Sequence, residues 1–194
     1  MVRAILAVLS LAVPVVAAVP ADRFITPEVQ EGLRQIKAAF PRWTSVNLRV
    51  YSGSGTFFDV TESFLRINLN GSKDASKNFR FSGMVDDEFL NVTLSPLPKG
   101  GFNAWGFGVN LSVTPSGDGY RLWGNVDSRN VNLSLNRFGD GFSIWGQGGV
   151  NLNASKFGRD LTVSGSLDLN QFGKKPLAVL GTVLAAVSAP KPAQ

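Results

Sequence analysis

The chain has 194 residues, no His and no Cys, and carries 19 Lys and Arg against 14 Asp and Glu, a formal charge of +5. That inventory excludes Ser–His–acid hydrolysis, thiolate catalysis, iron–sulfur ligation and most zinc, copper and haem sites, and it calls for no cofactor. Apolar residues make up 44% and charged residues 17%, with 21 Gly, a balance that suits one mainly all-β domain with its own core.

The first 18 residues read as a signal peptide. Arg3 gives a short positive region, Ala4 to Ala17 is apolar apart from Ser10 and Pro14, and small residues follow at Ala17-Ala18. The run is too short to serve as a comfortable membrane anchor, so the chain is expected to be secreted, with no stable transmembrane anchor.

Residues 19–43 hold one predicted amphipathic helix. Thr26 can cap it, Pro27 suits its first turn, and Val29, Leu33, Ile36 and Phe40 fall on one stripe before Pro41 ends it.

The period then changes to two, and residues 44–173 read as an antiparallel β domain. Val46, Leu48 and Val50 alternate with Asn47, Arg49 and Tyr51; Leu65, Ile67 and Leu69 with Arg66, Asn68 and Asn70; Leu90, Val92 and Leu94 with Asn91, Thr93 and Ser95. Such strands have one dry and one wet face.

The second half is a degenerate repeat. Trp105-Gly106, Trp123-Gly124 and Trp145-Gly146 each lead into Val-Asn-Leu, at Val109-Asn110-Leu111, Val131-Asn132-Leu133 and Val150-Asn151-Leu152. Phe138-Gly139, Phe157-Gly158 and Phe172-Gly173 close the stretches, and the last copy has Ser164-Gly165 in place of Trp-Gly. The pattern predicts four long strands over 102–113, 120–136, 141–155 and 160–171, bent by mid-strand glycines, with a bulge near Ser128 to Asn130 where the apolar phase slips. The whole is expected to be a strongly bent antiparallel meander that forms a barrel or a curled sheet.

Residues 174–194 form an apolar segment and tail. Leu177 to Ala189 is too short to span a bilayer and reads as a helix packed on the sheet.

Catalysis finds little support. Asp127 and Asp168 fall on predicted strands, but nothing in their spacing marks a carboxylate pair. Asp86-Asp87-Glu88 reads as a wet turn before it reads as a calcium loop. Gly106-Phe107-Gly108 and Gly146-Gln147-Gly148-Gly149 open no helix, so they are not nucleotide loops. The cations are scattered and form no stripe interleaved with aromatics, so nucleic acid is not an expected partner.

Binding is the better-supported class. Trp105, in phase with Phe107 and Val109, is expected to face the core. Trp145 is expected to face outward, and Trp123 beside the phase slip is ambiguous. With Phe107, these three are the candidate ligand-binding residues. Asn70, Asn91, Asn110, Asn132 and Asn153 each begin an N-x-Ser/Thr acceptor, although alternation of Asn and Ser on a wet face generates that motif unaided. The leading expectation is a secreted non-enzymatic binding protein whose curled sheet encloses a small apolar or lipid-like ligand. The alternative is a surface-interaction module, glycan-binding or host-directed, acting through the Asn-rich face. A further alternative is a membrane-active β-barrel.

Overall fold

A computed structural model of the chain describes Pro27, Gln30, Glu31 and residues 43–53 and 56–189. The segment expected to be a signal peptide lies outside the described residues, as does most of the segment expected to form the N-terminal helix; Pro27, Gln30 and Glu31 are helical and exposed.

Residues 43–189 form a closed barrel of twelve antiparallel strands. The first six are β1 (Trp43–Ser52), β2 (Phe57–Glu62), β3 (Ile67–Lys73), β4 (Phe79–Val85), β5 (Glu88–Pro96) and β6 (Phe102–Gly106). The others are β7 (Val109–Ser116), β8 (Gly119–Val126), β9 (Arg129–Phe138), β10 (Gly141–Gly146), β11 (Val150–Phe157) and β12 (Asp160–Asp168). Each strand pairs with its sequence neighbours, and β1 pairs with β12 to close the ring, so among the described residues none is an edge strand.

The expected alternation holds in every strand, with the apolar set turned into the lumen. Val46, Leu48 and Val50 of β1, Leu90, Val92 and Leu94 of β5, and Val131, Leu133 and Leu135 of β9 are all buried. The opposite set, rich in Asn, Ser and Thr, forms the outer wall.

The C-terminal segment is a helix, α1 (Lys174–Ser188), and it runs inside the barrel. Pro176 to Ala186 are all buried, on every side of the helix, the condition under which a helix without a polar face is stable. Gly181 marks the close fit, since a Cβ there would lie 2.5 Å from Val60 Cγ1 and 2.9 Å from Leu48 Cδ2. The Thr182 hydroxyl, also buried, donates to the Val179 carbonyl at 2.7 Å and so introduces no unsatisfied group.

The dimensions account for this arrangement. Twelve tilted strands spaced about 4.8 Å apart enclose a lumen about 20–25 Å from wall to wall. A helix with its side chains takes about 10–12 Å, and one layer of inward side chains fills the remainder. The segment expected to pack as a helix on the sheet does so from within: it lies against the inner face of β1 to β5, and the sheet has closed around it. Among the described residues no helix is long and apolar enough to cross a membrane.

Three of the four long predicted strands, 102–113, 120–136 and 141–155, resolve into hairpins, and the fourth is the single strand β12. Trp-Gly lies at or within two residues of the end of one strand and Val-Asn-Leu at or within two residues of the start of the next, so the repeat unit straddles a turn. Gly106 pairs with Val109 across Phe107-Gly108, and Val126 pairs with Arg129 across Asp127-Ser128. Both Asp127 and Ser128 have positive φ, 48° and 62°, as a two-residue primed turn requires. The expected bulge near Ser128 is this turn. It also corrects Trp105: the chain reverses between Trp105 and Val109, and Trp105 points outward while Val109 points in.

Candidate functional site

The hairpin reading exposes a repeat longer than the sequence pattern suggested. Six outward residues on the even strands stand directly opposite six asparagines on the odd strands. The pairs are Thr61–Asn68, Ser82–Asn91, Trp105–Asn110, Trp123–Asn132, Trp145–Asn151 and Ser164–Asn47. Every asparagine is flanked by two buried apolar residues, as in Val131-Asn132-Leu133. The first two copies were hidden because Thr61 and Ser82 occupy the tryptophan position.

The residue after each even-strand member is glycine in five of the six copies: Gly83, Gly106, Gly124, Gly146 and Gly165. A Cβ at Gly124 would lie 2.2 Å from the Asn110 carbonyl oxygen, and the other four meet an asparagine carbonyl of the preceding odd strand in the same way. The glycine band predicted from sequence is thus a ring of close strand approaches. In β2 the position is taken by Glu62, which is buried and accepts a hydrogen bond from the Leu65 amide.

The three tryptophans stand at one height. Trp105 is level along the ladders with Asn125, two residues past Trp123, and Trp123 is level with Asn132, whose carbonyl accepts from the Gln147 amide, two residues past Trp145. That stagger matches the strand tilt of a barrel. The result is a belt on β6, β8 and β10, with an asparagine between neighbouring indoles. Exposure is nearly equal, 56% at Trp105, 52% at Trp123 and 54% at Trp145: each ring is seated on the wall and keeps a large surface open to solvent. Trp145 therefore faces outward as expected, and Trp123 joins it.

Phe107, the fourth candidate, is at the β6–β7 turn and 91% exposed. It borders a trough of about 820 Å³ on the outer wall together with Arg80, Asn91, Thr93, Ser95 and Trp105. The Trp105 indole N–H donates to Ser95 Oγ at 3.4 Å. A second, flatter trough of about 680 Å³ includes Trp123, Arg121, Thr114 and Asn132. Here the Arg121 guanidinium is turned onto its neighbour, with Nε and Nη2 each 3.4 Å from Asn132 Oδ1.

The acceptor asparagines Asn70, Asn91, Asn110, Asn132 and Asn153 lie on β3, β5, β7, β9 and β11, and all five side chains are exposed on the outer wall. Asn110 and Asn132 are the cross-strand partners of Trp105 and Trp123.

The acidic residues weighed for catalysis or calcium have other partners. Asp86 pairs with Lys174 and Arg66, Glu88 and Asp127 both pair with Lys175, and Asp87 pairs with Arg66. Asp168 is buried at the end of β12 and accepts from the Asn170 amide at 3.0 Å. Among the described residues no group of three or more acidic side chains is placed to hold a metal ion.

Comparison with protein-family models, with curated proteins and with solved structures finds no match.

Proposed function

We propose that the protein is a secreted, non-enzymatic binding protein that takes saccharide on its outer wall. The observation that carries this reading is the belt: three half-open indoles at one height, each facing an asparagine amide. An indole face accepts the apolar side of a pyranose ring, and amides and hydroxyls beside it match sugar hydroxyls as donors and acceptors. Secretion is supported by the leader-like N-terminal sequence.

The alternatives fit the architecture less well. An apolar ligand inside the barrel would need the space that α1 fills. A barrel lying in lipid needs an apolar outer band, whereas this outer wall carries Asn, Ser, Thr and Arg between its aromatics.

The test is a glycan array probed with the secreted chain and with Trp105→Ala, Trp123→Ala and Trp145→Ala. Circular dichroism confirms that each variant keeps its fold. Saccharide binding that falls by about tenfold or more in at least one variant, as expected on truncating an aromatic anchor, supports the belt. No saccharide binding, or binding unchanged in all three variants, contradicts it.

A further inference from the structure

The outer wall is not uniform in charge chemistry, and the difference assigns a ligand class to one place on it. Arg80, Thr93 and Trp105 stand side by side on β4, β5 and β6, since Arg80 pairs with Thr93 and Thr93 with Trp105. All three point outward into the larger trough. With strands about 4.8 Å apart, the guanidinium and indole stems are about 10 Å apart with a hydroxyl between them. That is the reach of a single sugar ring bearing a charged substituent.

Arg80 is only loosely engaged. Its Nη2 lies 3.5 Å from Asp74 Oδ2, longer than a charge-assisted hydrogen bond. Asp74 is held chiefly by Asn78, whose amide nitrogen and side-chain Nδ2 donate at 2.9 and 3.2 Å, and these bonds keep its carboxyl below the usual carboxylate range. The guanidinium therefore has donors to present as a fork to a second carboxylate. In the flatter trough the corresponding cation, Arg121, is folded onto Asn132 beside its tryptophan.

We infer that the trough at Trp105 selects an acidic saccharide, a chain containing uronic acid. The sugar ring stacks on Trp105, its hydroxyls reach Thr93 and Asn91, and its carboxylate pairs with Arg80. This rests on the outer-wall reading and narrows it to one trough and one ligand class.

The test is calorimetric titration of the whole secreted chain with oligogalacturonate and, separately, with a neutral galacto-oligosaccharide of equal length. Wild type is compared with Arg80→Gln, Arg121→Gln and Trp105→Ala. The expected result is tighter binding of the oligogalacturonate, weakened about tenfold or more by Arg80→Gln and by added salt. Neutral-sugar binding is unchanged by Arg80→Gln, Trp105→Ala weakens both ligands, and Arg121→Gln has little effect. If the neutral sugar binds as well as the uronide, or Arg80→Gln leaves uronide binding intact, the acidic assignment is overturned and the outer-wall reading stands. If neither sugar binds the wild type, the acidic assignment is overturned, and the outer-wall reading falls with it when the glycan array also shows no saccharide bound.

Discussion

Lys175 Nζ sits 2.6 Å from Asp127 Oδ2 and so ties the first turn of α1 to the turn between β8 and β9. The same ammonium is 2.5 Å from Glu88 Oε2 at the start of β5, and Lys174 Nζ is 2.7 Å from Asp86 Oδ2. Two lysines at a helix N-terminus oppose the helix dipole, and α1 has no acidic residue in its first turn. The carboxylates come from the barrel rim instead, and they fix where the helix enters the lumen.

Removing that tie destabilises the barrel. Lys175→Met leaves Asp127, 35% exposed, and Glu88, 69% exposed, facing each other with solvent screening part of their repulsion. A loss of about 0.5–1 kcal/mol is expected for a partly screened pair, read as a lower urea midpoint with unchanged slope. Asp127→Asn should cost less, since Glu88 still holds the ammonium, and the double variant should be less than additive.

The same ion pairs set the pH profile. The Lys175 ammonium is pushed above its ordinary range by hydrogen bonds to Asp127 and Glu88. Its contribution is present in full below the unfolded lysine value of about 10.4 and is lost as pH rises through the higher folded value. The Asp86 carboxyl is held below its ordinary range by Lys174, with Arg66 adding to the effect. Its contribution is present above the unfolded aspartate value of about 3.9 and is lost as pH falls through the lower folded value. Urea midpoints should form a plateau between these limits. Asp86→Asn should flatten the acid limb and Lys175→Met the alkaline limb.

Glycines of two kinds should respond differently to alanine. Gly124 has φ 138° and backbone atoms where a Cβ would go, whereas Gly139 has φ 57° with open space around it. Gly139→Ala should cost about 1–2 kcal/mol for the left-handed conformation alone. Gly124→Ala adds a backbone clash and should cost clearly more, or prevent folding. Thermal denaturation of the two variants decides this.

Gly181→Ala tests the filling of the lumen. Alanine is the better helix former by about 1 kcal/mol, yet its Cβ would press on Val60 and Leu48. Overpacking should dominate, with a net loss of stability. Leu184→Ala, at the opposite extreme, should cost about 2–5 kcal/mol by leaving a cavity. A Gly181→Ala variant more stable than wild type would mean that α1 is not tightly enclosed.

The barrel itself was legible in the alternation of Val46-Asn47-Leu48 and its counterparts, because one dry face per strand follows directly from period two. The turns were less legible. Phe107-Gly108 and Asp127-Ser128 lack the Asn-Gly or Asp-Gly signature, so a reversal of the chain was read as a bend or a bulge. That single error turned Trp105 inward and joined hairpins into long strands. The destination of Leu177 to Ala189 was hidden for another reason: an apolar run shows that a helix is buried, but only strand number and tilt show that the barrel has room for it. Arg80 was missed as a candidate site residue because its place beside Trp105 depends on pairing across three strands.

The acceptor asparagines make a further prediction for the chain secreted from a eukaryotic cell. Asn70, Asn91, Asn110, Asn132 and Asn153 are open on the wall, so intact-mass measurement should show glycan at several of them. Sugars at Asn110 and Asn132 would lie beside Trp105 and Trp123. Enzymatic deglycosylation should then strengthen binding of added oligosaccharide. Single Asn→Gln changes should move stability by no more than about 0.5 kcal/mol.

The most direct measurement is an NMR titration of the protein that follows the indole N–H signals of the tryptophans and the methyl signals of Leu48, Val60, Val183 and Leu184. Added oligogalacturonate should shift the Trp105 indole, with Trp123 and Trp145 following at higher concentration, and leave the lumen methyls in place. A fatty acid that shifts the lumen methyls, with no indole responding to any saccharide, would contradict binding at the outer wall and place the ligand inside the barrel.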